Sequence, residues 1–214
     1  MADAVLEGGI LDFDVLARTG LRREPFDHVI LPGFVPAAEA AAIRACFPLG
    51  GRGGVEPARS QAPGDPLDRL LAALHDPDTS ARFSDLFGLE LAPETLMIHL
   101  RSRCRQQDGR IHTDSRDKLV TGLIYFNATW PHPGGRLRLL RSAGDMEDMV
   151  GEVLPLDGTM VVFRRSDVSF HGHYPHEGVR RCVMFNWMVD AAAARRETRR
   201  HAVSAVFKRL LGAA

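Results

Sequence analysis

From residue 94 onward the apolar positions come in short runs, "ETLMIHLRSR", "KLVTGLIYFN", "GRLRLLR", "GTMVVFRR" and "VRRCVMFNWMV", separated by Gly, Pro and Asp. Short runs rich in β-branched and aromatic residues, with breaks of that kind, predict strands. Together they predict an all-β module, a sandwich or a barrel, with helices in front of it. Upstream the texture differs. Residues 1–25 read as a polar lead-in, and "DHVILPGFVP" as one strand stopped at Pro32 and Gly33. Helical character follows in "PAAEAAAIRACF" from Pro36, then in "DPLDRLLAALHD", and in "DTSARFSDLFG" with Asp78 or Thr79 as N-cap and Gly88 as stop. After the first of these, "PLGGRGGVEPARSQAPGDP" is too dense in Gly and Pro for regular structure and reads as a loop, with a lid over a site as the second reading. The chain closes on "DAAAARRETRRHAVSAVFKRLLGAA", where Val203, Val206, Phe207, Leu210 and Leu211 make the apolar stripe of an amphipathic helix.

Composition narrows the class without naming a function. A chain of 214 residues suits one domain, divided here into a helical support region over 1–93, a β core over 94–189 and a terminal helix over 190–214. Lys and Arg together number 27, as do Asp and Glu, so no global field draws the chain to nucleic acid or to an anionic membrane. With 45% hydrophobic and 25% charged residues it has the composition of a globular protein. Cys46, Cys104 and Cys182 are too widely spaced for a zinc ribbon or a disulfide framework, and Cys104 and Cys182 read as packed thiols. The first residues lack a basic segment followed by an apolar run, and no window reaches the ~18 apolar residues of a membrane span. A cytoplasmic location is the expectation.

Candidate chemistry begins at "DGRIHTDSRDK", residues 108–118. On an extended segment His112 and Asp114 project to the same side, because side chains alternate with period two. The pattern alone is common by chance. Downstream, "SDVSFHGHYPHEG" offers His171, His173 and His176, and two histidines with one carboxylate on one face of a metal is the donor set of non-haem Fe(II) oxygenases. Zinc on the same ligands would give hydrolytic chemistry instead.

These residues, in this order, resemble the 2-oxoglutarate/Fe(II)-dependent dioxygenases, in particular their prolyl-4-hydroxylase-like branch. The resemblance covers roughly residues 95–189, with "PFDHVILPGFVPAAEAAAI" as a looser match in front. "IHTDS" stands at the first two ligands, "TGLIYFNATWPHPGGRLRLL" matches a strand, a Trp turn and a Gly-Gly step, and 56 residues separate Asp114 from His171. It implies a mainly β fold, a double-stranded β-helix (jelly-roll or cupin-like) core with N-terminal helices and a C-terminal helix. It also implies Fe(II) held by His112, Asp114 and His171, with His173 as the alternative third ligand, and 2-oxoglutarate and O2 as cosubstrates. For the far carboxylate of 2-oxoglutarate it points to Arg181, six residues before Trp187, with Arg180 as the alternative and Tyr125 as a further contact.

The chain departs from the resemblance ahead of the first ligand, where the family often has Tyr-x-x-Gly and this sequence has "IHLRSRCRQQDGRIH". His99, Arg101 and Arg103 alternate along one strand face, either lining a pocket that meets an anionic substrate or lying solvated. These arginines and the loop at 49–65 are the substrate-side candidates. His28, His75, His132 and His201 stand in surface-like contexts. The expected partner is a small-molecule or peptidyl substrate, with neither nucleic acid nor membrane. For the arginine-rich terminal helix, packing on its own domain is the first reading and a homodimer contact the second. Two rivals stand beside the oxygenase: a non-catalytic β module binding a sugar or a protein, and a metal-dependent hydrolase using the same ligands.

Overall fold

The structure, a computed structural model, describes residues 9–49 and 54–197. Nine strands form two antiparallel sheets among the described residues. The larger sheet has the order β1 (His28–Leu31), β7 (Met160–Arg164), β4 (Lys118–Tyr125), β9 (Gly178–Met188), β3 (Leu96–Cys104), β2 (Glu56–Pro57). The smaller has the order β6 (Met149–Val153), β5 (Leu137–Leu140), β8 (His171–Gly172). The runs that predict strands after residue 94 are all strands. β6 is not among those runs, since Gly151 and Glu152 interrupt its apolar character and four of its five residues are half-buried.

Period two sorts the larger sheet into two faces. Leu96, Ile98 and Leu100 of β3, Val120 and Ile124 of β4, Met160 and Val162 of β7, and Val183, Phe185 and Trp187 of β9 enter one core with the helices. The opposite face sends Leu123, Tyr125, Val161, Phe163 and Cys182 into a second core with Leu137, Leu139 and Val153 of the smaller sheet. The helical layer comprises α1 (Phe13–Thr19), α2 (Ala37–Cys46), α3 (Pro66–His75) and α4 (Pro77–Phe87). It contributes Ile43, Leu67, Leu70, Leu74, Phe83 and Phe87 to the first core. Trp187 ties the layers together, its indole N–H donating to Ser80 Oγ on α4 at 3.1 Å and its ring lying 5.2 Å from Phe83.

Four local expectations change. The polar lead-in contains α1, capped by Asp12 accepting from Val15 N at 2.8 Å and anchored by Phe13 against Phe34 and Phe83. α4 is capped by Asp76, not by Asp78 or Thr79: Pro77 has no N–H to satisfy and takes the first helical turn, which leaves Asp76 to accept from Asp78 N. Part of the Gly/Pro-rich loop is the two-residue strand β2, an edge position where a proline costs no ladder bond. His28 is fully buried, with its Nδ1 against Phe26 O at 2.8 Å. At the other end, residues 191–197 are helical, while the apolar stripe from Val203 to Leu211 lies outside the described residues.

Gly122 of β4 stands opposite Phe185 of β9, and a Cβ there would overlap the Phe185 ring. Overpacking of that kind typically costs about 1–3 kcal/mol. Gly122→Ala is expected to shift the urea midpoint downward by a corresponding amount with an unchanged m value.

Candidate metal centre

Between the sheets lies a cavity of about 320 Å³, with His112, Asp114 and His171 on its wall. One ligand atom from each of these three lies within 4.8 Å of the others. Backbone pairing sets this geometry. His112 and His171 form an isolated antiparallel bridge, each N–H donating to the other's carbonyl at 3.0 Å, and their rings sit 4.3 Å apart. Each ring then turns its Nδ1 to a carbonyl two residues back, Arg110 O at 2.9 Å for His112 and Ser169 O at 3.0 Å for His171. That contact holds the Nδ1–H tautomer and leaves both Nε2 lone pairs to a metal, the usual second partner of a ligating histidine.

Burial and neighbouring charges keep His171 and Asp114 unprotonated at neutral pH. Burial holds His171 down at about 4, against the opposing pull of Asp114, and burial likewise holds His173 at about 4. Burial pushes the Asp114 carboxyl up, but the Lys118 ammonium, His171 and the Thr121 hydroxyl outweigh it and hold it at about 2. For a histidine whose folded pKa is lowered, the unfolded chain binds the proton first. Stability of the metal-free protein is therefore complete above pH about 6.5 and falls as the pH drops toward 4, a trend that urea midpoints across that window would show.

Asp114 is positioned from two sides. Lys118 Nζ donates to Oδ1 at 2.9 Å, and the Thr121 hydroxyl to Oδ2 at 2.6 Å. The same hydroxyl lies 2.9 Å from Asn186 Oδ1. With its single proton given to the carboxylate, it is left to accept from the Asn186 amide turned to present its NH2. Thr121→Val, which removes the hydroxyl and keeps the shape, is expected to weaken Fe(II) binding by about ten- to a hundredfold, with Thr121→Ser restoring it. Anaerobic equilibrium dialysis reads both.

The arginine in the cavity wall is not the one that the spacing to Trp187 suggests. Arg181 shares the odd-numbered face of β9 with Val183, Phe185 and Trp187, away from the cavity, and its electrostatic neighbours are Arg44 and Asp157. Arg180, on the face of Cys182 and Met184, lines the cavity and is 2% exposed. Its Nε donates to Gly135 O at 2.7 Å and its Nη2 to the Tyr125 hydroxyl at 3.0 Å. No carboxylate pairs with it among the described residues. Tyr125 is fully buried and behind this arginine, with burial pushing its hydroxyl up to about 12. The signal for Arg180 was in the sequence: a residue six before Trp187 has the parity of Trp187, and Trp187 belongs to the helical core.

His173 lines the cavity next to His171 but is outside the three-residue group. Its N–H donates to Gly109 O at 2.8 Å, and Gly109, at φ +100°, leaves room that a Cβ would take from the His173 ring. His176 belongs to a separate stack, its ring 4.6 Å from Trp130 and 4.7 Å from His132. Arg101 lines the cavity, whereas neither Arg103 nor any described residue of the 49–65 loop does.

The sequence model of the 2OG-Fe(II) oxygenase superfamily matches residues 100–189. No curated protein matches the chain. Among solved structures, a prolyl-4-hydroxylase from Pseudomonas putida is 24% identical over 82% of this chain and 88% of its own, with a TM-score of 0.57. A prolyl hydroxylase from Trichoplax adhaerens, in complex with a hypoxia inducible factor oxygen degradation domain peptide fragment, is 15% identical over 85% and 89%, with a TM-score of 0.58. A prolyl 4-hydroxylase from Phytophthora capsici is 17% identical over 74% and 57%, with a TM-score of 0.54. At these identities the likeness is one of fold, and the two facing sheets are those of the double-stranded β-helix.

Proposed function

We propose that this chain is a 2OG-Fe(II) oxygenase, a reading supported by the superfamily model over residues 100–189, in which His112, Asp114 and His171 hold Fe(II) while Arg180 receives the far carboxylate of 2-oxoglutarate. On this reading the protein is a 2-oxoglutarate-dependent dioxygenase that hydroxylates an unactivated C–H bond of its substrate. The observation that carries the reading is Arg180: a guanidinium buried in the wall of the cavity that holds the His-Asp-His group, with no carboxylate beside it among the described residues. Burying a cation without a partner costs several kcal/mol, and a planar fork facing a cavity suits a carboxylate arriving from solution.

Held by His112, Asp114 and His171, Fe(II) would supply the coupling of O2 reduction to oxidative decarboxylation of 2-oxoglutarate, with succinate and CO2 as products and one oxygen atom passing to the substrate. The chain's own part is placement. The paired strands at His112 and His171 fix two donors, Thr121 and Lys118 fix the third, and Tyr125 with Gly135 O holds the Arg180 fork toward the cavity. The buried sides of both sheets keep that fork dry, which strengthens its pull on a carboxylate. The 94–189 segment is the catalytic core in this account, with the N-terminal helices as its support. The partner is a small-molecule or peptidyl substrate.

The test is succinate release by the purified protein. Slow formation that requires Fe(II), 2-oxoglutarate and O2 together is the expected result. Activity that ignores 2-oxoglutarate and persists without O2 would mean a hydrolase, and no succinate under any condition would mean a binding module.

A further inference from the structure

A second arginine of the same cavity lacks an adequate anion, and from it we infer that the substrate of the proposed oxygenase carries its own carboxylate, bound by Arg101. This inference rests on the function proposed above and adds to it the class of molecule that is oxidised.

Arg101 projects from β3 into the cavity, on the strand face opposite to Leu100 and the helical core. Its side chain is 18% exposed, yet its Nε is buried without a hydrogen-bond partner. The carboxylate that pairs with it among the described residues, Asp108, is already committed. Asp108 Oδ2 accepts from the Arg105 backbone N–H and Oδ1 from Arg105 Nη2, both at 2.9 Å, closing the turn over 105–108. What remains for Arg101 is a contact from Nη1 to Oδ2 at 3.4 Å and one to Cys104 Sγ at 3.9 Å. A well-formed charge-assisted bond is about 2.7–2.9 Å, so the guanidinium is neutralised loosely and keeps a donor edge for a ligand.

The position separates this arginine from the cosubstrate's. Arg180 is 2% exposed, whereas Arg101 shares its part of the wall with Gln107 and Arg110, both exposed. Arg101 thus stands in a more solvent-accessible part of the cavity than Arg180. The Arg101 fork with a carboxylate already held near it matches a single further carboxylate, and Asp108 would repel a doubly charged phosphate. Size points the same way, since about 320 Å³ that must also hold a five-carbon diacid leaves space for a compact group.

Matched pairs of probes test this on the unmodified protein. N-acetyl amino acids and their C-terminal amides are compared for stimulation of succinate release with Fe(II), 2-oxoglutarate and O2. At least one acid is expected to raise the rate above the uncoupled level while its amide does not. Arg101→Gln then raises the KM for that acid tenfold or more and leaves the KM for 2-oxoglutarate within twofold, and Arg101→Lys falls between. Amides acting as well as acids, or no stimulation by any acid, overturns the inference, as does a rise in the KM for 2-oxoglutarate, which would give Arg101 to the cosubstrate. Failure of the oxygenase reading itself looks different, because it removes uncoupled succinate formation before any probe is added.

Discussion

Arg180→Met is expected to abolish measurable binding of 2-oxoglutarate while leaving Fe(II) binding in place. The arginine is the buried cation of the cavity, already aimed by Gly135 O and the Tyr125 hydroxyl, so a carboxylate meeting it replaces little water and orders no side chain. Removing one partner of such a buried pair costs about 2–5 kcal/mol, which corresponds to a rise in dissociation constant of about thirty- to several-thousandfold. A thermal shift reads it directly. A cosubstrate at about a hundred times its dissociation constant stabilises the native state by about 2.7 kcal/mol, and the variant is expected to lose that shift. Arg181→Met, on the opposite face of the same strand, keeps it; the reverse pattern would restore Arg181 as the carboxylate's partner.

Asp114→Ala is expected to remove metal binding and activity together. Its carboxylate is the anionic member of the donor group, held ionised down to about pH 2 chiefly by Lys118 against the cost of burial. Loss of groups that merely orient a ligand costs about ten- to a hundredfold in metal affinity, so loss of the ligand itself is expected to cost at least about a hundredfold. The substitution also strands the Lys118 ammonium, whose side chain is 16% exposed, without its carboxylate partner. Fe(II) at micromolar concentration retained by Asp114→Ala in anaerobic dialysis would remove this residue from the site.

Strand parity explains both what the sequence revealed and what it hid. Alternation in "KLVTGLIYFN" and "VRRCVMFNWMV" marks two buried faces, and His112 with Asp114 stand on one side of an extended segment. The approach of His171 to His112 was not local information, because 56 residues and four strands intervene between Asp114 and His171, and the two segments meet through a two-bond backbone bridge. Arg181, at an even spacing from Trp187, shares its strand face, here the one packed on α4, and so stands away from the cavity. Thr121 and Asn186 gave no motif; a hydroxyl two residues from Leu123 on the cavity face of β4 was the available hint. α1 gives no period in the sequence because its seven residues, with Phe13, Val15 and Leu16 on the core, span only two turns.

The most direct test of the account is anaerobic titration of the metal-free protein with Fe(II) and 2-oxoglutarate, followed in the visible range. Chelation of Fe(II) by the keto acid end of 2-oxoglutarate gives a weak charge-transfer band. The account predicts that this band appears when both are present, at one equivalent of iron, is absent with either alone, and is lost in Asp114→Ala. An intact, folded protein that shows no band with both would contradict it.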